Sequence, residues 1–214
     1  MRHDLDDAPA ASPTVVFATY GGCAPLRPLH LPDVDGNACD KFLDFALEAA
    51  QDRRIKTVVF GAFGEAYFGR EFQHSSQSPS LDPASPAAAP IVAAFAESIR
   101  ALRKEGKRVF VILSNPTSPA FDPKQMMSRY TGDVHHDTVN REAFVSAVEP
   151  VISRIEQAAR LGGAIIVDPV DGLCSDRECP VIGSDGRPLY KDRHHLRSSV
   201  VEQRAAFIDQ LLRR

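Results

Sequence analysis

Apolar and polar positions along the chain switch repeatedly between two habits, short continuous apolar runs and longer stretches with apolar residues three or four apart. Residues 14–19 (Thr-Val-Val-Phe-Ala-Thr) are apolar and β-branched and end at Gly21-Gly22, which predicts a buried strand entering a turn. Asn37 offers an N-cap with Asp40 three residues on, and Cys39, Phe42, Leu43, Ala46 and Ala50 keep helical spacing. Residues 56–61 form the next predicted strand. A Ser/Pro/Ala-rich loop is expected over 75–90, followed by a helix over 91–105 with Val92, Phe95, Ile99 and Leu102 on one face and Gly106 as its stop. A strand over 108–113 leads into a long irregular stretch, 114–140.

The remaining third repeats the alternation. Residues 141–161 read as a helix through Phe144, Val148, Ile152, Ile155 and Ala159, with Pro150 expected to kink or split it and Gly162-Gly163 to end it. Residues 164–168 give the last core strand. A hairpin around Ser184-Asp185-Gly186, a loop with Asp192 and His195, and a helix from about 198 to 212 with Val201, Ala205, Ile208 and Leu212 inward complete the chain. Strands alternating with helices predict an α/β domain whose parallel sheet is covered on both faces. At 214 residues one substantial core is expected, with 14–214 as the domain and 1–13 as a disordered or truncated segment.

Charge narrows the function. Lys and Arg number 25 against 28 Asp and Glu, a formal net charge of −3 without a basic run, so a general nucleic-acid surface is not expected. No apolar stretch approaches the roughly 20 residues of a membrane span, and the acidic, Ala/Pro-rich start does not read as an export signal.

Four cysteines allow three pairings. Cys23 with Cys39 and Cys174 with Cys179 each close a local loop, the first worth roughly 3 kcal/mol in a chain-entropy estimate, and would place the chain in an oxidising compartment. Four reduced thiols in a cytosolic protein are the plain alternative. A zinc site from Cys174, Cys179 and His194 or His195 is a third, although Cys-x4-Cys is a loose spacing for one.

The densest chemistry lies in Leu-Tyr-Lys-Asp-Arg-His-His-Leu, residues 189–196, where Asp192 precedes His195 by three. A base beside an orienting acid is two-thirds of a Ser-His-Asp device. The same spacing at a helix entrance is also an ordinary cap. His194 should point elsewhere, and Tyr190 reads as a packing residue. Gly21, Gly22, Gly61 and Gly64 lie at strand ends, where their N–H groups could line an oxyanion hole or the glycines could simply serve turn geometry. No nucleophile motif stands upstream; Ser114, just past a strand, is a possible substitute, with Asn115-Pro116 beside it reading as a turn. His135 and His136 are expected in solvent, with metal binding as the alternative.

Several of these features fall in one order: Gly22-Cys23-Ala24-Pro25-Leu26, Cys39, Phe60-Gly61-Ala62-Phe63 with Tyr67, Asp168-Pro169 through Leu173-Cys174 to Cys179, and Leu189-Tyr190-x-Asp192-x-x-His195-Leu196. From about residue 15 onward the chain resembles the SGNH (GDSL-like) hydrolase domain fused to the membrane part of acyltransferase family 3 proteins. The resemblance implies a flavodoxin-like three-layer α/β/α fold, a periplasmic location, and a part in polysaccharide O-acylation or in carbohydrate ester hydrolysis. It makes His195 the general base and Asp192 its orienting partner, implies no cofactor or metal, and implies as partners an acylated or acceptor glycan and a membrane acyltransferase domain or protein.

One departure stands out. The family's nucleophile lies in a Gly-Asp-Ser-His block one strand and helix ahead of Gly-Gly-Cys-Ala-Pro, yet only 13 residues precede Thr14, and none reads Gly-Asp-Ser. Ser12 precedes a predicted strand instead of following one. The expectation is a chain that begins after the nucleophile, lacks the interior strand between those at 14 and 56, and has little activity alone. Rival readings are a non-catalytic glycan- or partner-binding domain on the same fold and a cytosolic zinc-binding α/β protein.

Overall fold

The computed structural model describes residues 14–27, 29–30, 34–61, 68, 81–126 and 138–211. In chain order its elements are α1 (Gly36–Ala50), β1 (Thr57–Gly61), α2 (Ala88–Lys104), β2 (Arg108–Ile112), a 3-10 turn (Pro119–Phe121), α3 (Pro123–Met126), β3 (Val139–Asn140), α4 (Arg141–Gly162), β4 (Ile165–Val167), α5 (Pro169–Leu173), β5 (Glu178–Cys179), α6 (Ser198–Arg204) and a 3-10 segment (Ala205–Leu211). These elements fall into two compact units. The expected segment 1–13 lies outside the described residues, as do Gly64, Phe63, Tyr67, His135 and His136.

The first unit, residues 15–114 and 148–167, holds a parallel sheet in the order β1-β2-β4. The expected parallel α/β architecture is present. Val58, Phe60, Val109, Val111 and Ile166 form one face and pack on Val92, Phe95, Ile99 and Leu102 of α2 and on Val151, Ile155, Ala158 and Ala159 of α4. Phe60 meets Phe95 edge-to-face at 5.3 Å. Gly162 lets the two helices close up, because a Cβ there would sit 2.6 Å from Ile99 Cβ. Across the other face runs the row Val59, Phe110, Ile165; Phe110 is buried, whereas Val59 and Ile165 are about 40% exposed.

Several boundaries move for local reasons. The cap of α1 is Asp35, whose carboxylate accepts from the Asn37 N–H at 3.0 Å, so Asn37 is a recipient of the cap and not the cap itself. Helix α2 begins at Ala88, inside the expected loop, since Pro90 falls in the first turn where its missing N–H costs nothing. Gly106 ends that helix region with φ at +76°. Lys107, 5% exposed, donates to the carbonyls of Gln51, Asp52 and Ile55 beyond the end of α1. Helix α4 runs through Pro150 without splitting, and the two units divide within it, after Ala147.

The expected strand at 14–19 is not formed. That stretch has no regular secondary structure and pairs with no strand among the described residues, with Val16 and Phe17 more than 70% exposed. An isolated strand needs a ladder partner and a surface to pack on, and among the described residues β1 is laddered only to β2. The Cys23–Cys39 disulfide joins the turn that follows to α1.

The second unit comprises described residues 14, 115–126, 138–147 and 168–211. The stretch read as irregular supplies the 3-10 turn, α3 and β3, and β3 pairs antiparallel with β5. Phe121, Met126, Cys179, Val181, Leu189, Tyr190 and Val200 form a second core, with Phe121 and Tyr190 stacked at 4.1 Å. The hairpin around Gly186 is present, closed by Gly183 N–H on the Arg187 carbonyl and Leu189 N–H on that of Val181. The last helix differs from expectation. Val200 is buried and Val201 exposed, and beyond Arg204 the chain tightens to 3-10, whose three-residue turn puts Ala205, Ile208 and Leu211 in line. Leu212 lies outside the described residues.

Candidate active site

The loop bearing Asp192 and His195 is fastened at both ends before any side chain is considered. Tyr190 and Leu196 bridge antiparallel, Lys191 N–H donates to the His195 carbonyl at 2.7 Å, and Arg197 N–H donates to the Leu189 carbonyl. Leu189 and Tyr190 root this stem in the second core, and burial pushes the Tyr190 phenol well above its ordinary value, despite the opposing charge of Arg204. The outer part of the loop is held from the side. Asn115 donates its amide N–H to the His194 carbonyl at 2.6 Å, and Ser118 N–H donates to the Arg193 carbonyl at 3.0 Å.

Within this frame the Asp192 carboxylate has two tasks. Its Oδ1 accepts the backbone N–H groups of His194 and His195 at 3.0 and 2.9 Å, which builds the turn. Its Oδ2 lies 2.8 Å from His195 Nδ1, which holds the ring. Desolvation pulls this carboxyl upward, but the two backbone donors, the imidazole hydrogen bond and its charge outweigh it and keep the group well below the usual carboxylate range. The His195 side chain is 65% exposed, so its second ring nitrogen is accessible. That is the geometry of an oriented general base.

His194 does not point elsewhere, as its sequence context suggests. Its Nδ1 is 3.8 Å from Asp192 Oδ1, and its ring centroid is 4.1 Å from that of His195. A donor atom from each of the three residues lies within 4.8 Å of the others. Asn115, read only as a turn former, makes a contact to this loop that sequence reasoning missed; the Asn-Pro pair signalled a turn but not its partner.

The other candidates divide. Both expected disulfides are present, Cys23–Cys39 and Cys174–Cys179, which removes the reduced-thiol reading and the zinc site that needed Cys174 and Cys179 as ligands. Gly22 has φ at +82°, so turn geometry accounts for it. Gly61 closes β1 with an ordinary φ, and a Cβ there would meet nothing within 4 Å among the described residues, so neither conformation nor packing calls for glycine. Ser114 is buried, its Oγ without a hydrogen-bond partner among the described residues. A shallow cavity of about 370 Å³ beside the Cys174–Cys179 disulfide is lined by Thr138, Leu173, Glu178 and Arg204, and includes neither Asp192 nor His195.

A parallel α/β sheet and a carboxylate-held imidazole are both compatible with a hydrolase or acyl-transferase of the serine type. The sequence profile of the SGNH domain (fused to AT3 domains) matches residues 2–210, and the chain belongs to that family. Among solved structures, the periplasmic domain of the lipopolysaccharide acetyltransferase of Salmonella ser. Paratyphi A is similar, with a TM-score of 0.67 and 13% identity over 98% of this chain and 76% of that one. No curated protein sequence matches.

Proposed function

We propose that this SGNH domain serves in acyl-ester chemistry on a carbohydrate, as part of a polysaccharide O-acyltransferase or a carbohydrate esterase. The observation that carries the reading is the 2.8 Å contact between Asp192 Oδ2 and His195 Nδ1 with the imidazole left open to solvent. In the reaction a serine hydroxyl attacks the acyl carbonyl and gives its proton to the outer ring nitrogen of His195, and the same proton then goes to the departing alkoxide. Asp192 keeps the ring in the tautomer that accepts. The acyl-bearing serine is the one expected in the family's Gly-Asp-Ser-His block.

The setting we infer is periplasmic. Two disulfides among the described residues, the family's fusion to AT3 domains and the periplasmic neighbour support it, and no described helix is long and apolar enough to cross a membrane. An acceptor or acylated glycan and a membrane acyltransferase domain are the partners this reading names. The test is hydrolysis of p-nitrophenyl acetate by a protein in which the family's upstream strand and Gly-Asp-Ser-His block precede this chain. Turnover that disappears in His195→Ala is expected. No turnover in either protein would favour a glycan- or partner-binding domain that keeps Asp192 and His195 as structure.

A further inference from the structure

Two imidazoles and a carboxylate share one turn of chain at 192–195, and the fold has fixed them there independently of any catalytic role. We propose that Asp192, His194 and His195 together take up one divalent transition-metal ion of the zinc class, and that uptake switches off His195 as a base. The donor set of two nitrogens and one oxygen suits zinc, nickel or copper and is poor for magnesium or calcium, which prefer all-oxygen shells. With metal–ligand distances of about 2.0–2.2 Å, neighbouring donors on a tetrahedral ion stand roughly 3.3–3.5 Å apart. Here His194 Nδ1 lies 3.8 Å from Asp192 Oδ1 and His195 Nδ1 lies 2.8 Å from Asp192 Oδ2, and one donor atom from each residue falls within 4.8 Å of the others.

The backbone is already ordered for it. Asn115 holds the His194 carbonyl, Ser118 that of Arg193, and Lys191 that of His195, so little chain entropy is lost on binding. Exposure of His195 leaves room for water or a ligand oxygen at a fourth position. The cysteines do not compete, being joined in disulfides. Each imidazole binds as its neutral form, so uptake releases any proton carried at the ligating nitrogen. Metal on the outer nitrogen of His195 blocks the lone pair that accepts a proton; metal on Nδ1 breaks the hold of Asp192. Either outcome disables the base.

The test is calorimetric titration of the disulfide-intact chain with zinc chloride in a non-coordinating buffer near neutral pH. One ion per chain is expected, reversed by EDTA, with affinity falling at least about tenfold in His194→Ala and in His195→Asn. No uptake, or uptake unchanged in either variant, overturns the proposal; the latter would place the ion on others of the chain's seven histidines. His195 is exposed, so its variant keeps the fold, and circular dichroism checks both. The readout concerns ligand geometry alone, so it can succeed or fail whatever the acyl-transfer assay returns.

Discussion

Asp192 grips His195 twice, by Oδ2 on the ring at 2.8 Å and by Oδ1 on the backbone N–H at 2.9 Å, so one carboxylate both builds the turn and orients the imidazole. Its two oxygens have separable roles, and substitution can part them.

Asp192→Asn keeps an oxygen for the backbone donors but turns an N–H donor toward His195 Nδ1, which favours the wrong tautomer. In the protein carrying the nucleophile block, kcat is expected to fall by roughly 10⁴ with KM little changed and the circular dichroism spectrum intact. Asp192→Ala loses both functions and should also lower the melting temperature. Equal activity of Asp192→Asn and the parent enzyme would remove Asp192 from the mechanism.

Acid should reveal the same carboxylate. The folded Asp192 lies below its ordinary value of about 4. Its contribution to stability is therefore complete above that value and is lost as pH falls through the lower folded-state value. Denaturant unfolding between about pH 5 and pH 2 is expected to show a steeper loss in the parent protein than in Asp192→Asn. Because the side chain is 43% exposed, the difference should be small, and parallel pH curves would refute it.

Asn115 is a positioning residue by this geometry. Asn115→Ala removes the 2.6 Å bond to the His194 carbonyl, at a cost of about 1 kcal/mol. With the nucleophile block present, kcat should drop and KM hold, while the acetyl-ester pH profile shifts as the imidazole loses its fixed orientation. A loss of stability with an unchanged pH profile would make Asn115 merely structural.

The two disulfides should differ in weight. Cys23–Cys39 spans 16 residues and Cys174–Cys179 five, so chain entropy assigns them about 3 and about 2 kcal/mol. Paired Cys→Ala replacements compared by chemical denaturation should rank in that order.

Ser114→Ala tests whether that serine stands in for the nucleophile. Its Oγ is buried and has no hydrogen-bond partner among the described residues, so the substitution is expected to leave stability within about 1 kcal/mol and any esterase activity intact. Abolished activity in a well-folded variant would reverse that assignment.

Local pattern carried much of the fold. The runs at Thr57–Gly61, Arg108–Ile112 and Ile165–Val167 and the spaced apolar residues of α2 and α4 announced strands and helices, because period and burial are properties of neighbouring residues in the chain. Asp192 and His195 were legible for the same reason, being three residues apart. The short pairing of Cys174 with Cys179 was also local.

Tertiary structure decided what depends on partners distant in sequence. Residues 14–19 have every propensity for a strand, yet a ladder needs a second edge, and none among the described residues supplies it. Asn115 meets His194 across 79 positions, a contact that no spacing rule encodes. The side chain of His194 was free by sequence to turn away; its place beside Asp192 follows from the carbonyl that Asn115 holds and the turn that Asp192 caps. Composition and periodicity thus set which elements form and which chemistry is present, while packing and hydrogen bonding between remote segments set where each side chain ends, because those energies exist only once the chain has closed on itself.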